Sequence, residues 1–432
     1  MTIAIIGAGI TGLSSAYELG KKGHQVVVFE RSQYPGGLGS YIKLKDNYIE
    51  RFYHHFFVSH AYIQEMAKEL GIEDKLKFYK AKTGIYSRGK IYPFNSPIDL
   101  LKFSPLSFMD KLRCGIMLTF LKLLPFPLQA LDEISAQKWI KRYAGFKVYE
   151  KIWGPLLEGK FSKFANKISA LWLWGRIRGR SLKLGYFDGS VKILFDKLIE
   201  KIKKRKNVIK LGSEIIEIKA NKNGVLIKEE NVEYKFDKAI ITTISPITNL
   251  LIKEGLSKEF RSYLNSIDHL GAVCLTIELK HPIQSQYWLN ICDKKSKVLV
   301  IVEHTNMLNK KYYGERSIVY LANYVHRENK RFKISDEEVL RQYTGILKKI
   351  NKDYDDSWII KSYISRIPRA QTIFRTGALK RLPPIKLPTP NIYMVNIDQM
   401  YPFDRDLNQG IQLGKKVVDI ITSRTYFKTS FK

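Results

Sequence analysis

Cysteine is scarce in this 432-residue chain. Cys114, Cys274 and Cys292 are odd in number and far apart, which excludes a disulfide framework and points to a reducing compartment. No HExxH, no Gly-x-Ser-x-Gly elbow and no close Cys/His set occurs, so neither a zinc site nor a serine nucleophile is expected, and no metal is assigned. Long apolar runs are also missing. The most apolar stretch, Cys114 to Leu131, is broken by Lys122, Pro125 and Pro127, whereas a membrane span needs about 20 nearly continuous apolar residues. It reads as an internal helix, with an interfacial position on a membrane as the alternative. Acids are in short supply: 41 Asp and Glu face 73 Lys and Arg, a formal charge of +32. Such a field attracts anionic partners. Helix-turn-helix, zinc-finger and RNP-like patterns are absent, so nucleic acid is not the expected partner; an anionic membrane surface or an anionic small molecule is.

What the chain does have begins at its first residues. IAIIGAGITGLSSAYELGKKGHQVVVFE reads as strand, glycine turn, helix, second strand and terminal acid. Gly7 permits a sharp exit from the strand, Gly9 permits backbone approach to a pyrophosphate, and Gly12 permits close packing of helix on strand. The helix N-terminus offers unpaired N–H groups and a positive dipole end to the phosphates. Glu30, twenty-three residues after Gly7, stands where a ribose-binding acid is expected. Because the N-terminus is itself the first strand, a cleaved leader is not expected and a cytoplasmic protein is, peripheral on the inner membrane face if the positive charge is functional.

Arg31 to Ser40 follows at once, with a glycine pair at Gly36-Gly37. This pattern resembles the second nucleotide motif of the FAD superfamily that includes amine oxidases, protoporphyrinogen oxidase, phytoene desaturases and UDP-galactopyranose mutase. The resemblance implies non-covalent FAD, with the glycine pair against the pyrophosphate and ribityl chain. Leu38 stands where many members carry Arg. Further on, Val208–Leu211, Ile215–Ile218, Gly224–Ile227 and Ala239–Thr242 read as short strands. Asn391–Asp398 reads as a buried strand ending in an acid, before a helix from about 408 to 421. By resemblance Asp398 is the ribityl acid, although Ile397 replaces the usual glycine, and Arg31 and Ile215 join Gly7, Gly9, Gly12, Glu30, Gly36 and Gly37 in the cofactor site.

The implied fold is α/β: a Rossmann-like FAD-binding domain over residues 1–80, 186–245 and 386–432, with a mixed α+β substrate domain in two insertions. Insertion 81–185 reads mostly as helices, and 246–385 alternates strands with helices. The segment Glu50–Phe57 resembles the His-containing segment beside the flavin of the mutases, which makes His54 and His55 candidates for a flavin contact or a proton relay. Arg176, Arg178 and Arg180 suit an anionic substrate, but their spacing of two keeps them from one helical face. Arg176 is carried forward as catalytic. Arg405, shortly after Asp398, is expected near the pyrimidine end of the flavin, where a cation stabilises the reduced form. Glu303 and His304 are candidates to line the substrate cavity. The resemblance implies an FAD-dependent oxidoreductase that takes hydride to flavin N5 from a lipid-like, isoprenoid or amine small molecule. The alternative is a redox-neutral mutase acting on a nucleotide- or lipid-linked sugar. Oligomeric state is left open.

Overall fold

In the computed structural model, residues 1–45, 47–293 and 296–423 are described; the end of the expected C-terminal segment, 424–432, lies outside them. Five parallel strands form one sheet in the spatial order Val208–Leu211, Gln25–Glu30, Thr2–Ile6, Lys238–Ile241 and Ile392–Met394. Strand periodicity splits its side chains between two cores. Ile3 and Ile5 pack under the helices together with Leu13, Leu19 and Val417. Ala4 and Ile6 face a three-stranded antiparallel meander, Glu217–Asn221, Gly224–Glu229 and Val232–Phe236, through Ile218, Val225 and Ile227. The inner strands are buried on both faces and largely hydrophobic, as parallel sheets require, whereas the edge strand Val208–Leu211 is partly exposed.

The first helix, Ile10–Lys21, and the last helix, Leu407–Thr422, lie side by side and run the same way. A Cβ on Gly410 would sit 2.5 Å from Ile10 Cγ2, and one on Gly414 would sit 3.0 Å from both Ser14 Cβ and the Thr11 carbonyl oxygen. Small residues one turn apart thus let the two backbones touch. Both N-termini consequently emerge together at the carboxyl edge of the sheet, where ligands of open α/β folds bind.

A second sheet of seven strands runs in the order Ile359–Thr372, His269–Leu279, Ser317–His326, Val300–Glu303, Trp288–Ile291, Thr83–Ser87 and Lys90–Pro93. Strands from both insertions therefore share one sheet. The first insertion opens with this β structure and turns helical only from Pro97, so the expectation of mostly helix is corrected for its first part. The strand Lys183–Phe187 crosses the anticipated boundary at 185/186 and pairs with Phe56–Phe57 and Leu76–Lys80. Two local readings also shift. The strand expected at Ile215 starts at Glu217, and the last strand is shorter than expected, ending at Met394 before a single 3-10 turn over Ile397–Gln399.

The helix Phe108–Leu123 covers the first part of the apolar stretch singled out above, Cys114 to Leu123. It is not internal: Cys114, Met117 and Leu121 are buried, whereas Ile116, Phe120 and Leu123 are exposed.

Candidate functional site

The carboxyl edge of the parallel sheet gathers the glycine segments. Gly7 has φ +108°, and a Cβ there would meet Thr242 Oγ1 at 2.4 Å; a Cβ on Gly12 would lie 2.0 Å from the Gly7 carbonyl oxygen. Those two glycines are fixed by packing. Gly9 differs, because a Cβ there would find nothing nearer than 4.0 Å; the space beside it is open. Gly9 is the N-cap of the first helix, which has no side-chain cap and no acid in its first turn. Its leading N–H groups are thereby left to an anion. Gly36 forms an isolated parallel bridge with Gly9 and donates its N–H to the Ala8 carbonyl at 2.9 Å. With Gly36 at φ +117° and Gly37 at φ +55°, the second glycine segment can turn tightly against the first.

Glu30 Oε2 accepts the Ala8 N–H at 2.8 Å, and Oε1 accepts the Ser32 N–H at 2.9 Å. Each oxygen keeps a free lone pair for a diol. Arg31 is exposed and Ile215 is buried in the core between sheet and meander. Asp398 is fully enclosed, and its oxygens accept from Ser245 N (2.9 Å), Ser245 Oγ (2.6 Å), His269 Nε2 (2.6 Å) and Thr372 Oγ1 (2.7 Å). Burial raises its pKa, but His269 and the Ser245 donors outweigh that and hold it below the usual carboxylate range. Asp398 thus ties the segments of Ser245, His269 and Thr372 together, with its acceptor sites already engaged.

A charged and aromatic cluster is built on the loop that follows Asp398. Gly175 of the helix Ala170–Gly179 packs onto the loop after Asp398, where a Cβ would lie 2.5 Å from the Pro402 carbonyl oxygen. This close approach sets Arg176 against Asp404, to which its Nη1 donates. Lys160 Nζ lies 2.8 Å from both Asp404 oxygens, and Trp172 Nε1 donates to the same carboxylate at 2.9 Å. Burial alone would raise the Asp404 pKa; Lys160 and Arg176 outweigh it and push the carboxyl far below its ordinary range. Arg405 Nη2 donates to the Tyr324 hydroxyl at 3.1 Å, while its buried Nε has no partner. Burial raises the Tyr324 phenol, but Arg405 and Lys160 reverse this and leave it below its ordinary value. Lys160 also lies 5.0 Å from the Trp172 ring centroid, a cation–π distance.

His54 and His55 face this cluster. His54 Nδ1 donates to the Phe52 carbonyl at 2.6 Å, which fixes its tautomer. His55 lies 3.3 Å from the Tyr287 hydroxyl and packs edge-on against Trp288. Burial and then Arg405 lower the His54 pKa to about 4; burial and then Arg176 and Arg180 lower that of His55 to about 3. Burial and the neighbouring guanidinium groups thus disfavour the charged form of both rings. The structure brings His54, His55, Arg176 and Arg405 into one neighbourhood. Arg178 turns away and donates to the Lys122 carbonyl. Glu303 and His304 do not join this cluster: the Glu303 carboxylate accepts the Ile283 and Gln284 N–H groups, and His304 bonds the Tyr313 hydroxyl at 2.9 Å.

Sequence reasoning passed over Asp404, Tyr53, Trp172, Trp288 and Tyr324 as site residues. They come from five separate segments, so no spacing announces them. A flavin dinucleotide fits these residues: open room at Gly9, an uncapped helix N-terminus, a ribose acid with spare lone pairs and a buried Arg405 Nε without a partner are what its phosphate, ribose and ring end require.

Comparison with known proteins agrees with this geometry. A coproporphyrinogen III oxidase of Staphylococcus aureus is 34% identical over 185 residues, covering 39% of this chain and 38% of its own. A zeta-carotene desaturase of Solanum lycopersicum is 28% identical over 178 residues, covering 36% and 30%. The matched stretch thus spans about a third of each relative's length. A crystal structure of reduced UDP-galactopyranose mutase shares the fold, with TM-score 0.77 at 16% identity over 97% of this chain and 95% of that one. The sequence profile of the flavin containing amine oxidoreductases matches residues 10–396, and the chain belongs to that FAD-dependent family.

Proposed function

We propose that the protein is an FAD-dependent oxidoreductase acting on an apolar, isoprenoid-like substrate that carries an acidic group. One observation carries the choice of substrate: the cluster beside the nucleotide edge combines aromatic rings with an excess of cations. Tyr53 and Trp288 meet edge-on at 4.9 Å between ring centroids, and Trp172 stands behind Lys160. Against Arg176, Arg180, Lys160 and Arg405 stand Asp404, whose charge Lys160 and Arg176 already engage, and Asp406, whose carboxyl burial pushes up to about 7. A protonated amine would meet repulsion there. A carboxylate or phosphate on an apolar body would not.

FAD, when bound, supplies a two-electron acceptor for hydride. In this reading the first-helix N-terminus, Gly9 and Gly36 hold the pyrophosphate and Glu30 the ribose. Arg405 places positive charge at the ring end. Arg176 and Arg180 orient the acidic group, and the aromatic rings exclude water and align the reacting C–H bond. His54 and His55, their charged forms disfavoured, serve as hydrogen-bonding partners. Tyr324, whose hydroxyl oxygen accepts from Arg405, keeps its own O–H to donate to a bound group, and the proton that accompanies the hydride is released to solvent.

The mutase reading stays as the rival because the same cations suit a diphosphate and the fold is shared with the mutase. Anaerobic mixing of the holoenzyme with isoprenoid carboxylates and diphosphates distinguishes the two. Loss of the oxidised flavin band on mixing supports the oxidoreductase. An unchanged band, with nucleotide-sugar interconversion only after dithionite reduction, supports the mutase.

A further inference from the structure

The helix Phe108–Leu123 carries an apolar stripe on its solvent side. Phe108, Leu112, Ile116, Phe120 and Leu123 follow one another at intervals of four, four, four and three residues, which is one face of an α-helix. All five are exposed: Phe108 is 68% accessible, Ile116 50% and Leu123 66%. The opposite face, Cys114, Met117 and Leu121, is the one packed into the substrate domain. Burying a stripe of this size in water-free surroundings is strongly favourable, so leaving it exposed marks an interaction surface.

The surroundings identify the partner. Residues 97–147 contain eight Lys and Arg against four Asp and Glu, and all four acids are engaged: Asp132 receives the Tyr401 hydroxyl, Asp110 is held by Ser107 Oγ at 2.6 Å, Asp99 accepts the Ser96 N–H at 3.0 Å, and Glu133 pairs with Lys380 at 3.0 Å. Lys102 and Arg113 are exposed beside the stripe. A second copy of this chain would bring one positive rim against another, which is repulsive. An anionic bilayer complements both parts at once, taking the apolar side chains among its acyl chains and the basic rim among its headgroups.

We propose that this face is a membrane-docking surface for anionic bilayers, with Phe108–Leu123 lying in the plane of the interface. No helix among the described residues is long and apolar enough to cross a membrane, so the attachment is to one leaflet. The docking helix is also tied to the charged cluster. Lys122 Nζ donates to the carbonyls of Arg178 (2.9 Å) and Arg180, at the end of the helix that presents Arg176. The end of the helix that presents Arg176 therefore lies near the bilayer. Delivery of an acidic isoprenoid substrate from the membrane is the consequence, and that part alone rests on the function proposed above.

Co-sedimentation of the full-length holoprotein with vesicles tests the docking directly. With phosphatidylcholine containing phosphatidylglycerol, the wild type binds, and binding weakens with added salt as the Debye length falls from about 10 Å at 0.1 M to about 3 Å at 1 M. The double variant Ile116→Ser/Phe120→Ser binds about tenfold or more weakly, yet keeps its flavin content because both side chains face solvent. Lys102→Glu/Arg113→Glu loses the preference for phosphatidylglycerol and is the second variant should the first fail to fold. Equal binding by wild type and both variants, or no binding by wild type at low salt, overturns the proposal. So does a wild-type dimer in solution that the Ser variants dissolve. If docking fails while the holoenzyme's flavin is still reduced by detergent-dispersed isoprenoid acids, the membrane surface is wrong and the proposed function stands.

Discussion

Two helices of this protein are comparably rich in apolar residues and have opposite fates. The first helix, Ile10–Lys21, is buried from Ile10 through Leu19, because Gly12 lets the sheet approach on one side and Gly410 and Gly414 let the last helix approach on the other. The helix Phe108–Leu123 has a covered side and an uncovered one. Apolar content therefore does not decide burial; what decides it is whether the rest of the chain supplies a surface with small residues at the points of contact. The nucleotide-binding half is a closed jigsaw. The helical insertion is an unfinished one, completed in our reading by lipid.

The comparison predicts graded consequences for substitution. Gly12→Val is expected to have the largest effect, roughly 3–5 kcal/mol, because even its Cβ would overlap the Gly7 backbone, which cannot yield. Denaturant unfolding measures it, and a loss below about 1 kcal/mol would break the claim that this half is closed. Next comes the charged cluster, where Asp404 lies between Lys160 and Arg176. Asp404→Asn leaves two cations without their counter-charge and is expected to cost about 3 kcal/mol. The pH dependence follows from the depressed pKa of Asp404: its stabilisation is whole above the ordinary carboxylate value of about 4 and is lost as the pH falls below that. The wild type should thus lose more stability than Asp404→Asn on acidification, and parallel pH profiles would remove Asp404 from the account.

Arg405→Ala should act on the cofactor more than on the fold. Loss of a cation at the ring end lowers the flavin potential by tens of millivolts, about 1 kcal/mol on the scale where 59 mV per electron is 1.4 kcal/mol. Photoreduction against a reference dye reads it, and an unchanged potential with full FAD content places Arg405 away from the ring. The smallest effect belongs to the open helix. A Cβ on Gly115 would meet nothing closer than Leu100 Cδ2 at 3.8 Å, so Gly115→Ala should stabilise by roughly 0.5–1 kcal/mol through helix propensity. The same kind of change, a methyl group or more added to a helical glycine, is then ruinous in one helix and helpful in the other.

Legibility in the sequence followed the same division. The turn at Gly7, the packing at Gly12, the acid at Glu30 and most strands of the parallel sheet could be read because each depends on a backbone constraint that only certain residues satisfy. Gly36 and Gly37 were legible for the same reason. The charged cluster was legible in part: His54, His55, Arg176 and Arg405 do converge, whereas Asp404 and Tyr324 are joined to it by tertiary contacts between distant segments that no local pattern encodes. That the charged forms of the two histidines are disfavoured was not legible, since this is set by burial and by guanidinium groups from other segments. Glu303 and His304 misled because a polar pair at a strand end looks the same whether it faces a cavity or satisfies buried backbone donors. The exposed stripe at Phe108–Leu123 was visible as apolar content, and only packing could show which side faced out.

The central claim is that the charged and aromatic cluster holds an acidic, apolar molecule for oxidation next to bound FAD. Anaerobic rapid mixing of the holoenzyme with isoprenoid carboxylates or diphosphates, followed by flavin absorbance in wild type and Arg176→Ala, tests it most directly. The account predicts bleaching of the oxidised flavin in the wild type, with saturation at about tenfold higher substrate concentration in the variant, the scale of one lost charge-assisted contact. A flavin that stays oxidised with every such amphiphile, in a protein whose dithionite-reduced form interconverts nucleotide sugars without consuming electrons, would contradict it.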